Sequence, residues 1–219
     1  MESMPREAAV EVAAAATPAA DGARVAPPWW SELPVLSDAR VTLRPLRADD
    51  AAALFAMLTA DEVTRFISPP PPDLRGFERF IQWTHLESAA GRYAAFAVVP
   101  AGYDVPMGIV QVRQLDPTFT TAEWGIAFGS AFWGTGLFPA VARLFFDFVF
   151  GQVGVHRLEG RAAVQNGRAN GALRKLGAVQ EGLLRRSLFC NGEYLDQLLW
   201  SVLAEDWREA HADVRPLVH

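Results

Sequence analysis

One stretch constrains the fold of this chain more than any other. From Glu123 to Phe138 it reads EWGIAFGSAFWGTGLF: a strand pattern, a loop punctuated by Gly134 and Gly136, and the start of an apolar helix at about 138–150. The helix N-terminus is thereby set at the end of a sheet strand. Its first backbone N–H groups lack intrahelical partners, and the helix dipole presents its positive end there. Such a loop can take an anion on backbone groups alone, and glycines permit close approach. Gly-x-Gly by itself also fits a plain tight turn. It is not the dinucleotide fingerprint, because the third glycine and a surrounding βαβ unit are missing. It is not a P-loop either, because no Gly-Lys-Ser/Thr follows.

The flanking segments define the sheet. Residues 39–46 alternate apolar and polar side chains and predict a strand. Asp49 or Asp50 is placed to cap a helix over 51–60. The prolines at 69–72 break the chain, and a second helix is expected over 73–89, with Phe77, Phe80, Ile81 and Leu86 at helical spacing. Strands follow at 92–99, 106–115 and 121–128, separated by turn segments that suit antiparallel hairpins. Beyond the apolar helix come a strand at 156–164, a helix at 169–177 ended by Gly177, and strands at 179–190 and 193–203. The last two meet at Asn191-Gly192, a strong hairpin signal, and EDWREAH forms a closing helix. This order is not the regular alternation of a doubly wound sheet. It predicts an α/β chain of the α+β type: a mixed sheet of about seven strands with helices on both faces.

A chain of 219 residues suits one domain with a sizeable core. The expected division is a flexible Ala/Pro-rich tail over 1–34, a folded domain over 35–212 and a C-terminal tail over 213–219. Trp29 and Trp30 are the exception in the first tail, able to dock on the domain or on a partner. A net charge of −5 argues against a nucleic-acid partner. The pairs Arg174-Lys175 and Arg185-Arg186 read as solvated faces. One cysteine, Cys190, rules out an internal disulfide and reads as a small strand residue. Four histidines without metal-ligand spacing predict no metal site. No apolar run suits a membrane span, and the N-terminal alanine stretch carries Glu7 and Glu11 without a basic leader. A cytoplasmic location is expected.

Several motifs stand in a telling order. Leu-Arg-Pro-Leu opens the folded part. Ala-Glu-Trp-Gly-Ile and Phe-Trp-Gly-Thr-Gly-Leu precede the apolar helix, and Gly-Val-His-Arg-Leu-Glu follows it. Then come Asn166-x-x-x-Asn170, Leu-Arg-Lys-Leu-Gly, Glu181-Gly-Leu-Leu-Arg185, and Leu-Asp-Gln with a terminal Asp-Trp. Over about 38–208 the chain resembles the ribosomal-protein-type branch of the GNAT N-acetyltransferases. The resemblance implies a centrally splayed sheet and transfer of an acetyl group from acetyl-CoA to a primary amine, on a protein N-terminus or a small molecule. It implies a diphosphate on Trp133, Gly134, Thr135, Gly136, Leu137 and Phe138. It sets the acyl arm against Ile126, Ala127 and Phe128, with contacts from Asn166 and Asn170; helix capping is the other reading of both asparagines. A monomer or a homodimer is compatible with it.

Glu123 matches the family's acidic strand residue and is the candidate base, directly or through water; a structural carboxylate is the other reading. His85, Trp83 and Trp124 are candidates for the acceptor side. The sequence also departs from the family pattern. Phe138 stands where Gly or Ala is common and Pro139 where Thr is common. Ala169 replaces a serine, Ala178 an aromatic, and Leu173 the tyrosine that serves many members as general acid. These departures keep two other readings open: a non-catalytic acyl-CoA-binding or protein-interaction module, and transfer of a bulkier acyl group.

Overall fold

The computed structural model describes residues 28–212. Its strands are β1 (Leu36–Ser37), β2 (Val41–Pro45), β3 (Tyr93–Pro100), β4 (Gly108–Gln114), β5 (Thr121–Phe128), β6 (Arg157–Ala163), β7 (Val179–Cys190) and β8 (Glu193–Leu203). They form one mixed sheet in the order β1-β2-β3-β4-β5-β6-β8-β7. Only β5 and β6 run parallel. The expected α+β fold is observed, with the two-residue β1 as an added edge.

Alternation along each strand sorts side chains onto two faces. One face carries Val110, Val112, Ala122 and Trp124 against α4 (Leu137–Phe148) and α6 (Ala204–His211). On α4, Val141, Ala142, Phe145, Phe146 and Phe148 are buried, the stripe that a 3.6-residue period produces. The other face carries Tyr93, Ala95, Ala97 and Ile109 against α1 (Ala51–Leu58) and α3 (Leu74–Ala89). Asp73 caps α3 by accepting from the Gly76 N–H at 2.6 Å.

Some boundaries differ from expectation for identifiable reasons. Asp50 does not cap α1 with its side chain. Its buried carboxylate takes both Arg44 guanidinium nitrogens at 2.7 Å and the Arg47 N–H at 2.7 Å, tying β2 to the start of α1. The helix α5 (Gly167–Lys175) starts two residues early, because Asn166 Oδ1 accepts from the Ala169 N–H at 3.1 Å. A short helix, α2 (Asp61–Thr64), has no counterpart in the sequence reading. Trp29, placed in the tail, is 5 % exposed and packs edge-on against Phe119 and Phe148. The folded unit therefore includes residues before 35. At the Asn191-Gly192 turn both φ angles are positive, 51° and 82°, as a tight two-residue hairpin requires.

The pairing of β5 with β6 positions the site. It holds only for Thr121↔Arg157, Ala122↔Leu158 and Glu123↔Glu159. Beyond Glu123 the strands diverge, while β6 keeps pairing with β8 as far as Ala163. Trp124, the first unpaired residue, lays its indole against Gly160, where a Cβ would fall 2.8 Å from Nε1. A side chain at 160 would displace the indole that sits in the splay.

Candidate active site

A cleft of about 850 Å³ opens where β5 and β6 part. Ile126, Ala127 and Phe128 form its floor, and their edge toward β6 has no strand partner. The loop after β5 forms one wall. Gly134 and Gly136 adopt left-handed φ values of 74° and 77°, which glycine reaches without steric cost. Gly136 immediately precedes α4, so the loop delivers the chain into the helix N-terminus with its unpartnered N–H groups toward the cleft. Pro139, in the first turn, removes one of those donors. The opposite wall is α5, and a further wall is the segment 62–67 around α2.

Of the residues expected at a co-substrate site, Ile126, Ala127, Phe128, Trp133, Gly134, Gly136, Leu137, Phe138 and Asn166 line this cleft. Two do not. Thr135 turns its hydroxyl back to the Phe132 carbonyl oxygen at 2.8 Å. Asn170 is buried, donates from Nδ2 to the Ala163 and Asn166 carbonyl oxygens at 2.9 and 3.0 Å, and accepts from Trp200 Nε1 at 3.0 Å. Every hydrogen-bonding atom of its amide oxygen and nitrogen faces the protein, which makes Asn170 a structural clamp. Leu173 and Ala178 are buried in the core face.

Glu123 lies at the vertex of the splay, the last paired residue before the strands part. It does not line the main cleft. It borders a separate polar pocket of about 50 Å³ with Tyr93, Gln111, Arg113, Trp124 and Gly125. Its carboxylate meets both neighbouring arginines through Oε2. Arg113 donates to it at 2.5 Å and Arg161 stands 3.6 Å away. The pairing continues across the sheet. Arg161 approaches Glu159 at 3.9 Å, and Arg157 bonds Glu159 at 3.0 Å and Glu181 at 2.8 Å. Glu181 also accepts from the Ser201 hydroxyl at 2.6 Å. Hydrogen bonds from Arg157 and then Ser201 hold the Glu181 carboxyl down at about 2.

Beside Glu123, the buried Tyr93 phenol donates to Gln111 Oε1, and burial pushes its ionisation far above the usual phenol range. Trp83 reaches this rim, with its ring centroid 4.9 Å from that of Tyr93. Trp124 borders the same pocket but is only 6 % exposed. His85 is not at either pocket. It is exposed on α3, with Nε2 bonded to the Leu46 carbonyl oxygen at 2.8 Å.

Four cations were missed by the sequence reading. Arg65, Arg168 and Lys175 line the cleft, and Arg40 lies beside the loop with a guanidinium nitrogen 3.5 Å from the Thr135 carbonyl oxygen. Lys175, read as part of a solvated face, sits two helical turns from Arg168 on the cleft side of α5. That seven-residue spacing was the available signal.

Residues 40–179 match the family model described as acetyltransferase (GNAT) domain. The chain belongs to the GNAT family and is an N-acetyltransferase. The uncharacterized N-acetyltransferase p20 of Bacillus licheniformis is 25 % identical over 169 residues, covering 77 % of this chain and 95 % of that protein. Two solved structures share the fold. The ribosomal-protein-S5-alanine acetyltransferase of Vibrio fischeri superposes with a TM-score of 0.71 at 18 % identity, over 79 % of this chain and 98 % of that one. The spermidine N-acetyltransferase of Vibrio cholerae, in complex with CoA and spermine, gives 0.69 at 20 % identity, over 78 % and 99 %. These two are named for different acceptors, a ribosomal protein and a polyamine. Among the described residues no helix is long and apolar enough to cross a membrane.

Proposed function

We propose that this N-acetyltransferase takes acetyl-CoA as its co-substrate in the cleft and transfers the acetyl group to a primary amine entering beside Glu123. The amine belongs to a peptide N-terminus or a small molecule; the ribosomal-protein-type motifs put the peptide first. The single observation behind this reading is the unpaired edge of β5 leading from the glycine loop to Glu123. A long ligand with an anionic end and an extended arm fits that track. Backbone N–H groups of the loop and α4 would take the diphosphate. The arm would lie along Phe128 to Ile126, and a backbone N–H of that edge would polarise the thioester carbonyl.

In the reaction a neutral amine nitrogen forms the N–C bond as the C–S bond breaks. The nitrogen's proton passes to Glu123, directly or through one water, and the departing thiolate takes a proton from solvent. Arg113 and Arg161 both address Oε2 of Glu123, which leaves Oε1 without a protein partner among the described residues to take the nitrogen's proton.

Thiol release from acetyl-CoA, measured across peptides and small amines, tests the reading. Turnover with at least one amine class is expected, and none across the panel would refute it. Gly136→Asp should cut acetyl-CoA affinity by at least about 100-fold, through charge repulsion and lost backbone approach. A folded variant that binds like wild type would place the diphosphate elsewhere.

A further inference from the structure

Five arginines are neutralised in place among the described residues. Arg44, Arg92, Arg113, Arg157 and Arg161 each have a carboxylate within ion-pair distance. Arg168 and Lys175 have none among the described residues. Both nonetheless line the cleft, from the same side of α5. Gly171 and Ala172, between them on that wall, leave the space next to the two cations unfilled. The Arg168 guanidinium stacks 3.9 Å from the centroid of the Trp133 ring, immediately before the glycine loop. It is thus held at the cleft mouth by a contact that satisfies the ring face and leaves its N–H donors available.

The diphosphate reading does not need these two cations. Backbone donors of the loop and α4 serve that group, and Arg40 stands on the loop's other side. A second anion is the chemistry that would engage two unpaired cations two helical turns apart on one wall. We infer that Arg168 and Lys175 bind the terminal 3′-phosphate of the co-substrate's ribose, a dianionic phosphomonoester, and so select CoA thioesters over their 3′-dephospho forms. The inference rests on the co-substrate reading above. Guanidinium and ammonium groups bind such a phosphate by charge-assisted hydrogen bonds, which outweigh neutral ones.

Binding of acetyl-CoA and 3′-dephospho-acetyl-CoA by calorimetry, to wild type and to Arg168→Ala/Lys175→Ala, tests it. Wild type should prefer acetyl-CoA by about tenfold or more. In the double variant the preference should collapse toward unity, with affinity for the dephospho form within about twofold of wild type. A thermal melt confirms that the variant is folded, and Lys175→Arg should keep the preference. Equal wild-type affinities would overturn the assignment. So would a double variant that loses both ligands equally, which would move the cations to the diphosphate. Wild type binding neither ligand would instead sink the co-substrate reading, and the phosphate assignment with it.

Discussion

The cleft and the charged strip both border β5, and they treat charge in opposite ways. Along the strip, arginines and glutamates alternate from Arg113 on β4 through β5 and β6 to Glu181 on β7, and each finds an opposite partner. Around the cleft, Arg40, Arg65, Arg168 and Lys175 have no carboxylate partner among the described residues, and the lining glutamate, Glu62, accepts from the Ser130 hydroxyl instead. In a chain of net charge −5 the excess of cations at one cleft is local. A self-neutralised strip places groups without inviting a strongly charged ligand. An un-neutralised rim does the reverse. Glu123 stands where the two regions meet, and its behaviour is the sharpest test of the distinction.

Glu123→Gln preserves size and hydrogen-bonding reach and removes basicity. If Glu123 takes the amine's proton, acetyl transfer should fall by roughly 10²–10⁴-fold, the scale of a positioned base. Acetyl-CoA affinity should stay near wild type, since the carboxylate lies outside the co-substrate cleft. The deficit should shrink as pH rises and more of the amine is already neutral. Unchanged turnover would remove Glu123 from the mechanism and leave positioning alone to carry the rate. Loss of activity matched by loss of folding stability would make Glu123 a structural member of the strip.

The same contrast explains what the sequence could and could not disclose. Strand alternation, the Asn191-Gly192 turn and the glycine loop are local signals, and all correspond to observed elements. The splay is not local, because it appears only where β5 and β6 stop pairing beyond Glu123, and there Trp124 meets Gly160 from the other strand. Nor are the partners of Glu123, which sit on β4 and β6 and become neighbours only once register is set. α2 is four residues long, too short to carry a period, so the cleft wall at 62–67 left no pattern to read. Asn166 and Asn170 look alike in sequence. Only packing separates the one at the cleft from the one sealed under Trp200.

Asn170→Ala should separate them in solution. It leaves Trp200 Nε1 and the Ala163 carbonyl oxygen without those partners in a buried site, at a cost of about 1–3 kcal/mol of stability. Urea denaturation measures the loss, and KM for acetyl-CoA should not move. A KM effect without a stability effect would return Asn170 to the co-substrate site and blur the line between clamp and cleft.

The smallest effect expected belongs to the far end of the strip. The Glu181 carboxyl is held at about 2, against an ordinary value of 4.5, first by Arg157 and then by Ser201. A group with a depressed folded value stabilises the protein above its unfolded value and loses that contribution as pH falls through the folded one. The strip's share of stability should therefore decline between about pH 4.5 and 2. The Glu181 side chain is 36 % exposed, so solvent and salt screen the pair, and the contribution should stay within about 1 kcal/mol. Glu181→Gln should flatten part of the acid limb of a stability–pH curve. Asp116, held low chiefly by the Thr118 hydroxyl and the Thr121 N–H, leaves the rest of that limb in place. Added salt should shrink the difference between wild type and variant further. An unaltered acid limb in Glu181→Gln would mean that the strip's alternation places its side chains without stabilising the fold, which is the role its neutrality already suggests.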